Sequence, residues 1–296
     1  MYCDNTMTAS ILSLHSYPVK SCAGIDHTLA SIGQSGLHMD RQWVIVDKKG
    51  LFMTQRQYAR MALIQPGFLS DDLTLHAPGM PAITVPWLID TSEPRQVPVR
   101  IWQSDTLGFD EGDEVAAWLS GFLGLTCRLL RVHPEAERIA SPQHVQDWRL
   151  KHYDTAADFP VKHSFGFADG FPFLVANQGS LDELNRRLRA KGQPPVPMNR
   201  FRPNIVLQGL DAYEEDYLSG MRVRNMGFAF VKRCARCPIP NIDQATAISA
   251  SEPGITLAEH RLFPEGVLFG VNAVVAGAGP GASLRTGEEV EPEFDV

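Results

Sequence analysis

The sequence is short of cysteine, of long apolar runs and of net positive charge, and each shortage closes off a class of protein. The five cysteines, Cys3, Cys22, Cys127, Cys234 and Cys237, are odd in number and irregularly spaced. That argues against a disulfide framework and for thiols kept free in a reducing compartment. No run approaches the roughly 18 apolar residues that span a bilayer. The N-terminal MYCDNTMTASILSLHSYPVK has no basic segment followed by an apolar one, so no secretory signal and no membrane association are expected, and the expected location is the cytoplasm. Lys+Arg 27 against Asp+Glu 34 gives a net charge of -7. An acidic surface repels a phosphate backbone, so nucleic acid is not an expected partner. Internal repeats and low-complexity tracts are missing too, and helical periodicities are too few for a doubly wound βαβ sheet.

What is there reads as a mainly β protein with a few helices, an α+β chain. Short β-prone runs separated by Pro and Gly fill the first part: SILSLHSYPVK (10–20), two runs around the hairpin signal Asp47-Lys-Lys-Gly50, then LTLHAPG, AITVPW and VPVRIW. Such a series points to a barrel or sandwich. In 113–125 the residues Val115, Trp118, Leu119 and Phe122 recur at helical spacing, with Asp113 as the expected cap. CRLLRV (127–132) is a closing strand, and the polar, aperiodic stretch from His133 to about Gly166 is expected to connect two domains. These are placed at 8–130 and 131–296. Beyond the connection, 180–192 is the clearest helix, with Ser180 and Glu183 as a capping box, Leu181, Leu184 and Leu188 on one face, and Gly192 as its stop. FPFLVAN, NIVLQG, MRVRNMGFAFVKRC and VLFGVNAVVAG supply further strands.

The only paired cysteines lie in VKRCARCPIPNID (231–243). Structural zinc normally takes four Cys or His ligands, yet there is no second C-x-x-C, and His260 has no partner at metal spacing. Redox dithiols sit at the start of a helix, whereas this pair follows a strand-like run and precedes Pro238 and Pro240. If the strand continued, the two thiols would point to opposite faces and their Cα atoms would lie roughly 10 Å apart, beyond disulfide reach. A single working thiolate remains, favoured by the neighbouring Lys232, Arg233 and Arg236. The alternative is that both thiols are small buried hydrophobes. Spacing favours that alternative for Cys234 and leaves Cys237 open.

Three more segments place cations at strand ends: YPVKSCAG (17–24), MDRQW (39–43) and NRFRPNIVLQG (199–209). In this order, and followed by RCARC, they resemble the MOSC superfamily. More closely, the chain resembles the subgroup with an N-terminal MOSC-type β-barrel, which includes the amidoxime-reducing components and the YcbX-like proteins. The likeness runs from about Ile11 to the C-terminal strand.

That resemblance implies a MOSC-type β-barrel preceded by a smaller N-terminal barrel domain, and a bound molybdenum cofactor (molybdenum-molybdopterin). Cys237 would be the metal ligand and a catalytic residue, and Cys234 a packed neighbour. Lys20, Ser21, Arg41 and Arg202 would meet the cofactor's phosphate as point charge, hydroxyl and planar forks. Asn204, Arg236, Asn272 and the Asp169-Gly170-Phe171 segment would contact the cofactor, with Asp169 also catalytic. The implied activity is an oxidoreductase that reduces N-hydroxylated small molecules in detoxification, with electrons from a separate flavin or iron–sulfur protein. The alternative is a cofactor carrier, or a sulfur-transfer protein working through a persulfide on Cys237. The chain departs from the family after Cys237, where Pro-Ile-Pro-Asn-Ile-Asp replaces an aliphatic residue and paired threonines. It also carries Asn272 where relatives have Tyr, and it lacks the C-x4-C-x2-C of an appended plant-type ferredoxin.

Overall fold

The computed structural model describes residues 9–88 and 96–295. Cys3, the first eight residues of the segment read for targeting signals, and with them residue 8, where the first domain is expected to begin, lie outside the described residues. Seven strands, several of them buried along continuous runs, build a barrel: β1 (Ala9–Ser16), β2 (Phe173–Asn177), β3 (Ile205–Gln208), β4 (Leu218–Val223), β5 (Met226–Ala235), β6 (Gly266–Ala276) and β7 (Glu289–Phe294). They follow the order β2-β3-β1-β7-β4-β5-β6, and β6 pairs back onto β2. Only β2 and β3 run parallel; the other neighbours are antiparallel. Closure leaves the ring without an unpaired edge. Inside it, Ile11 and Leu14 of β1 pack with Phe173, Ile205, Met221, Phe228 and Ala273.

A second core lies in a half-barrel. A four-stranded sheet orders Trp43–Asp47, Cys127–Val132, Ser104–Asp110 and Gln96–Ile101, and a three-stranded sheet orders Gln65–Leu69, Asp72–His76 and Ile83–Val85. Helix α1 (Asp113–Leu123) buries the expected Val115, Trp118, Leu119 and Phe122 against Trp43, Leu73 and Leu129. The mainly β architecture is therefore present, with four α-helices among the described residues. None is long and apolar enough to cross a membrane. Strand β1, read with the first domain, pairs with β3 and β7 from the far half of the chain.

Four local expectations change. The polar connection holds a helix, α2 (Pro142–Lys151), capped by the Ser141 side chain and buried through only Val145 and Trp148. Two apolar contacts in ten residues are too few to show as a periodicity. The next helix, α3 (Gln178–Ala190), starts earlier than Ser180 because the Asn177 side chain accepts from Gly179 N at the cap. Ser180 instead donates to the buried Glu215, and Glu183 pairs with Arg186 and Arg187, so no capping box forms. The cap of α1 is likewise Gly112, with Asp113 in the first turn. Finally, MRVRNMGFAFVKRC is two strands, β4 and β5, turning at Arg224 (φ 54).

Candidate functional site

The barrel registers bring several strand ends to one rim. Leu14 of β1 lies opposite Ile205 of β3, Val175 of β2 lies beside Ile205, and Ala235 of β5 lies opposite Leu268 of β6. The segment leaving β1 and those entering β2 and β3 therefore meet at one end, and β5, which runs in the same direction as β2, reaches the cleft through Lys232–Ala235 beside Asn272 of β6. There they face the half-barrel across a cleft of ≈ 320 Å³. All eleven residues singled out in the sequence line it: Lys20, Ser21, Arg41, Asp169, Gly170, Phe171, Arg202, Asn204, Arg236, Cys237 and Asn272.

The cations are held by backbone that side chains seldom adopt. Ser21 (φ 64), Arg41 (φ 48) and Arg202 (φ 58) all sit in the left-handed region, a strain that persists only where surrounding contacts dictate it. Those contacts are visible. Arg41 bonds the buried Asp40 through Nη1 at 2.6 and 2.8 Å. Arg202 donates to Cys22 O at 2.6 Å. The two guanidiniums lie 4.4 Å and 4.2 Å from the ring centroid of buried Tyr17, a cation–π arrangement on each. Burial lowers the Arg202 pKa to about 10, which leaves it cationic at neutral pH.

Lys20 donates to Phe167 O at 2.8 Å and to Asp169 Oδ1 at 2.6 Å. Burial pushes its ammonium below the usual lysine range, against the pull of Asp169. Desolvation alone would raise the Asp169 carboxyl, but Lys20, the Trp102 indole and Arg41 hold it well below the usual carboxylate range. Asp169 is thus a charged acceptor at neutral pH and not an acid.

The segment carrying Asp169 has an anchor absent from the sequence reading. Buried Arg138 donates from Nη1 to Gly166 O and Ala168 O, each at 2.7 Å. At Gly166 a Cβ would meet Arg41 O at 2.7 Å, so the loop packs directly on the backbone of a cleft residue.

Around the cysteine pair, the straight-strand picture fails. Strand β5 bulges between Phe230 and Lys232 and again between Arg233 and Ala235, then ends. The chain turns through Ile239–Asn241, and both sulfur-bearing residues line the same cleft. Cys234 is half-buried there and not a core residue, and its Sγ accepts from Arg236 Nη1 at 3.1 Å. Cys22 and Cys127 are the buried, inert thiols; burial lifts Cys22 to about 12. Among the described residues no three His, Cys, Asp or Glu side chains come together as a metal cluster, which leaves structural zinc without a ligand set.

Two expected contacts are spent on the scaffold. The Asn204 amide accepts from Leu174 N at 3.1 Å and donates to His15 O at 3.2 Å, joining β2 to β1. Asn272 donates to Lys232 O at 3.3 Å. The sequence reading did not single out Thr54, Arg56 and Trp102, which enter the cleft from the half-barrel; of these, Trp102 stands in no motif.

Seven cations, Lys20, Arg41, Arg56, Arg202, Lys232, Arg233 and Arg236, face one carboxylate, Asp169, across this lining. Asp40, Asp169 and Glu265 partner Arg41, Lys20 and Arg233. Among the described residues no ion pair neutralises Arg56, Arg202, Lys232 or Arg236. Thr54 Oγ1 and Arg236 Nε are buried without a hydrogen-bond partner. A strongly cationic cleft with unspent donors and a thiol in an acidic chain fits a ligand that pairs an anion with a soft metal.

Comparison with known proteins agrees. The MOSC N-terminal beta barrel domain matches residues 8–126 and the MOSC domain residues 162–291. Mitochondrial amidoxime-reducing component 1 of Mus musculus is 32% identical over 262 residues, covering 86% of this chain and 72% of that protein. Mitochondrial amidoxime reducing component 2 of Bos taurus is 30% identical over 295 residues, covering 95% and 82%. Molybdenum cofactor sulfurase of Danio rerio is 30% identical over 277 residues, which is 89% of this chain but only 32% of that protein. With both domain types matched in order along most of its length, the chain belongs to the MOSC family and carries the family's N-terminal β-barrel domain.

Proposed function

We propose that the protein binds molybdenum cofactor in this cleft and reduces N-hydroxylated small molecules. The observation that carries the reading is the seven-to-one excess of cations over carboxylates around Cys237, in a chain whose net charge is -7. The proposed fit is residue by residue. Arg202 and Arg41 offer planar forks, and Lys20 and Ser21 offer a point charge and a hydroxyl, for the terminal phosphate. The Cys237 thiolate is the soft ligand for molybdenum. Arg236, the 169–171 segment and Asn272 wall the cleft around the rest, while Asn204 holds the strands that shape it.

Bound there, the cofactor supplies two-electron exchange at the metal. The reaction balances as an N–OH compound plus two electrons and two protons giving the N–H compound and water. The electrons come from a separate flavin or iron–sulfur protein. Asp169, kept charged by Lys20 and Trp102, accepts a hydrogen bond from the substrate and orients its N–OH group, while water delivers the protons. The names of the amidoxime-reducing relatives support this activity. The proposed division into an N-terminal barrel domain and a MOSC domain near residue 130, and the cytoplasmic location, accompany the reading.

A second reading, a cofactor carrier or sulfur-transfer protein acting through a Cys237 persulfide, draws support from the sulfurase relative. One experiment separates them. Protein produced with active cofactor synthesis is analysed for molybdenum and pterin, then assayed with an artificial electron donor and a simple amidoxime. Stoichiometric molybdenum with turnover is the expected result. A Cys237 persulfide with no turnover would establish the second reading.

A further inference from the structure

The hairpin between strands Gln96–Ile101 and Ser104–Asp110 turns on Trp102 and Gln103, because Ile101 pairs directly with Ser104. Trp102 sits at φ 56, a region glycine occupies freely and a bulky residue only under strain. Burial does not account for it, since 45% of the residue stays exposed. Three contacts instead fix the indole. The Arg56 guanidinium lies 4.3 Å from the ring centroid, Phe52 meets it at 64° with centroids 5.0 Å apart, and the indole N–H donates to Asp169 Oδ1 at 2.9 Å. The result is an exposed, rigidly held aromatic surface on the wall of the cleft. Among the described residues both side-chain bonds to Asp169, from Lys20 and from Trp102, fall on Oδ1. Its Oδ2 is left to accept another donor.

We propose that Trp102 and Asp169 form a two-part substrate subsite: the indole stacks the planar body of the molecule, and Asp169 Oδ2 accepts its N–H. The subsite selects flat aryl or heteroaryl amidoximes and bases over aliphatic ones. Ring-on-ring stacking supplies the preference, because every flat π-system can use it and an alkyl group cannot. Arg56, in contact with the ring, helps hold it in place. This inference rests on the reductase reading above and deepens it by naming the substrate class.

The test compares wild type, Trp102→Gly and Trp102→Phe at matched molybdenum content per chain. Glycine suits the backbone of this turn, so the first variant keeps the hairpin while losing the ring. The quantity read is the ratio of kcat/KM for benzamidoxime to that for acetamidoxime. Stacking of ordinary strength predicts a fall of roughly tenfold or more in Trp102→Gly, with Trp102→Phe staying within about threefold of wild type. An unchanged ratio in Trp102→Gly overturns the subsite.

A second readout needs no turnover. Benzamidine, a flat amidine that cannot be reduced at an N–OH, should quench a part of the tryptophan emission that Trp102→Phe lacks, and acetamidine should not. Equal quenching in wild type and Trp102→Phe overturns the subsite whatever the activity. Trp102-dependent quenching in a wild-type protein that reduces neither amidoxime supports the subsite while sinking the reductase reading.

Discussion

Arg236 donates from Nη1 to the Sγ of Cys234 at 3.1 Å, so the first cysteine of the pair carries the arginine contact. The second guanidinium nitrogen reaches Phe201 O at 2.7 Å, and Phe201 stacks on Phe269 with centroids 3.8 Å apart. Cys234 thereby fixes a cation at the cleft, and the proposed ligand is Cys237. A serine at 234 still accepts from Arg236, but a serine at 237 offers molybdenum a hard oxygen for a soft sulfur. Cys237→Ser is expected to lose molybdenum and activity, and Cys234→Ser to keep most of both, as measured by metal per chain after purification. Equal losses would contradict the single-ligand assignment.

Arg202 gives the second expectation. Its guanidinium is buried, carries no ion pair among the described residues, and stays charged at neutral pH even with its pKa lowered to about 10. Removing it takes a planar fork from the proposed phosphate site and leaves Cys22 O without its donor. Arg202→Ala should weaken cofactor retention by roughly ten- to a hundredfold, the worth of a charge-assisted hydrogen bond. Arg202→Lys, with its single point of charge, should recover only part. Cofactor occupancy after dialysis reads this directly, and unchanged occupancy in Arg202→Ala removes it from the site.

How much of this site the sequence discloses depends on what the local chain can encode. Cys237, Lys20, Arg41 and Arg202 stand in short, ordered motifs, so the sequence names them before their approach in space is known. Helix α1 and the apolar face of α3 are equally plain, since buried residues recur at helical spacing. What the sequence hides comes from tertiary pairing. Trp102 lies on a hairpin with no motif, and its contacts with Asp169 and Arg56 exist only because the half-barrel faces the cleft. The straight strand expected through Cys234 is broken by bulges, which follow from pairing with β6 and not from β5's own residues. Arg138 sits in a stretch whose polarity reads as a linker.

Arg138 carries the third expectation. It satisfies two buried carbonyls of the loop that presents Asp169, and its Nη2 lies 3.4 Å from Asp169 O. Burial lowers its pKa to about 10, so it donates as a full cation near neutrality. Arg138→Ala leaves those carbonyls unpartnered and should cost about 2 to 4 kcal/mol in urea unfolding. Arg138→Lys should recover part of that stability. In both, cofactor occupancy should fall less than in Arg202→Ala, because Arg138 touches the loop and not the cleft. An occupancy loss as large as that of Arg202→Ala would place Arg138 among the cofactor ligands.

Glu215 supplies a pH test remote from the cleft. Fully buried beneath α3, it accepts from Ser180 Oγ at 2.7 and 2.8 Å and from Asn177 Nδ2 at 3.2 Å. Burial raises its pKa from 4.5 to about 7, more than those bonds lower it. Between these values the native state keeps a proton that the unfolded chain has released. Stability from this group is therefore complete at acid pH and is lost as pH rises through the window. A shift of that size corresponds to on the order of 3 kcal/mol. Glu215→Gln stays neutral throughout, so relative to wild type it should gain stability between about pH 5 and about pH 8. Urea midpoints of the two proteins at both pH values measure the gain, and taking the difference cancels the histidines and other carboxylates common to both. A difference that does not move with pH would mean that Glu215 is already ionised when buried, with Ser180 and Asn177 sufficient to hold its charge.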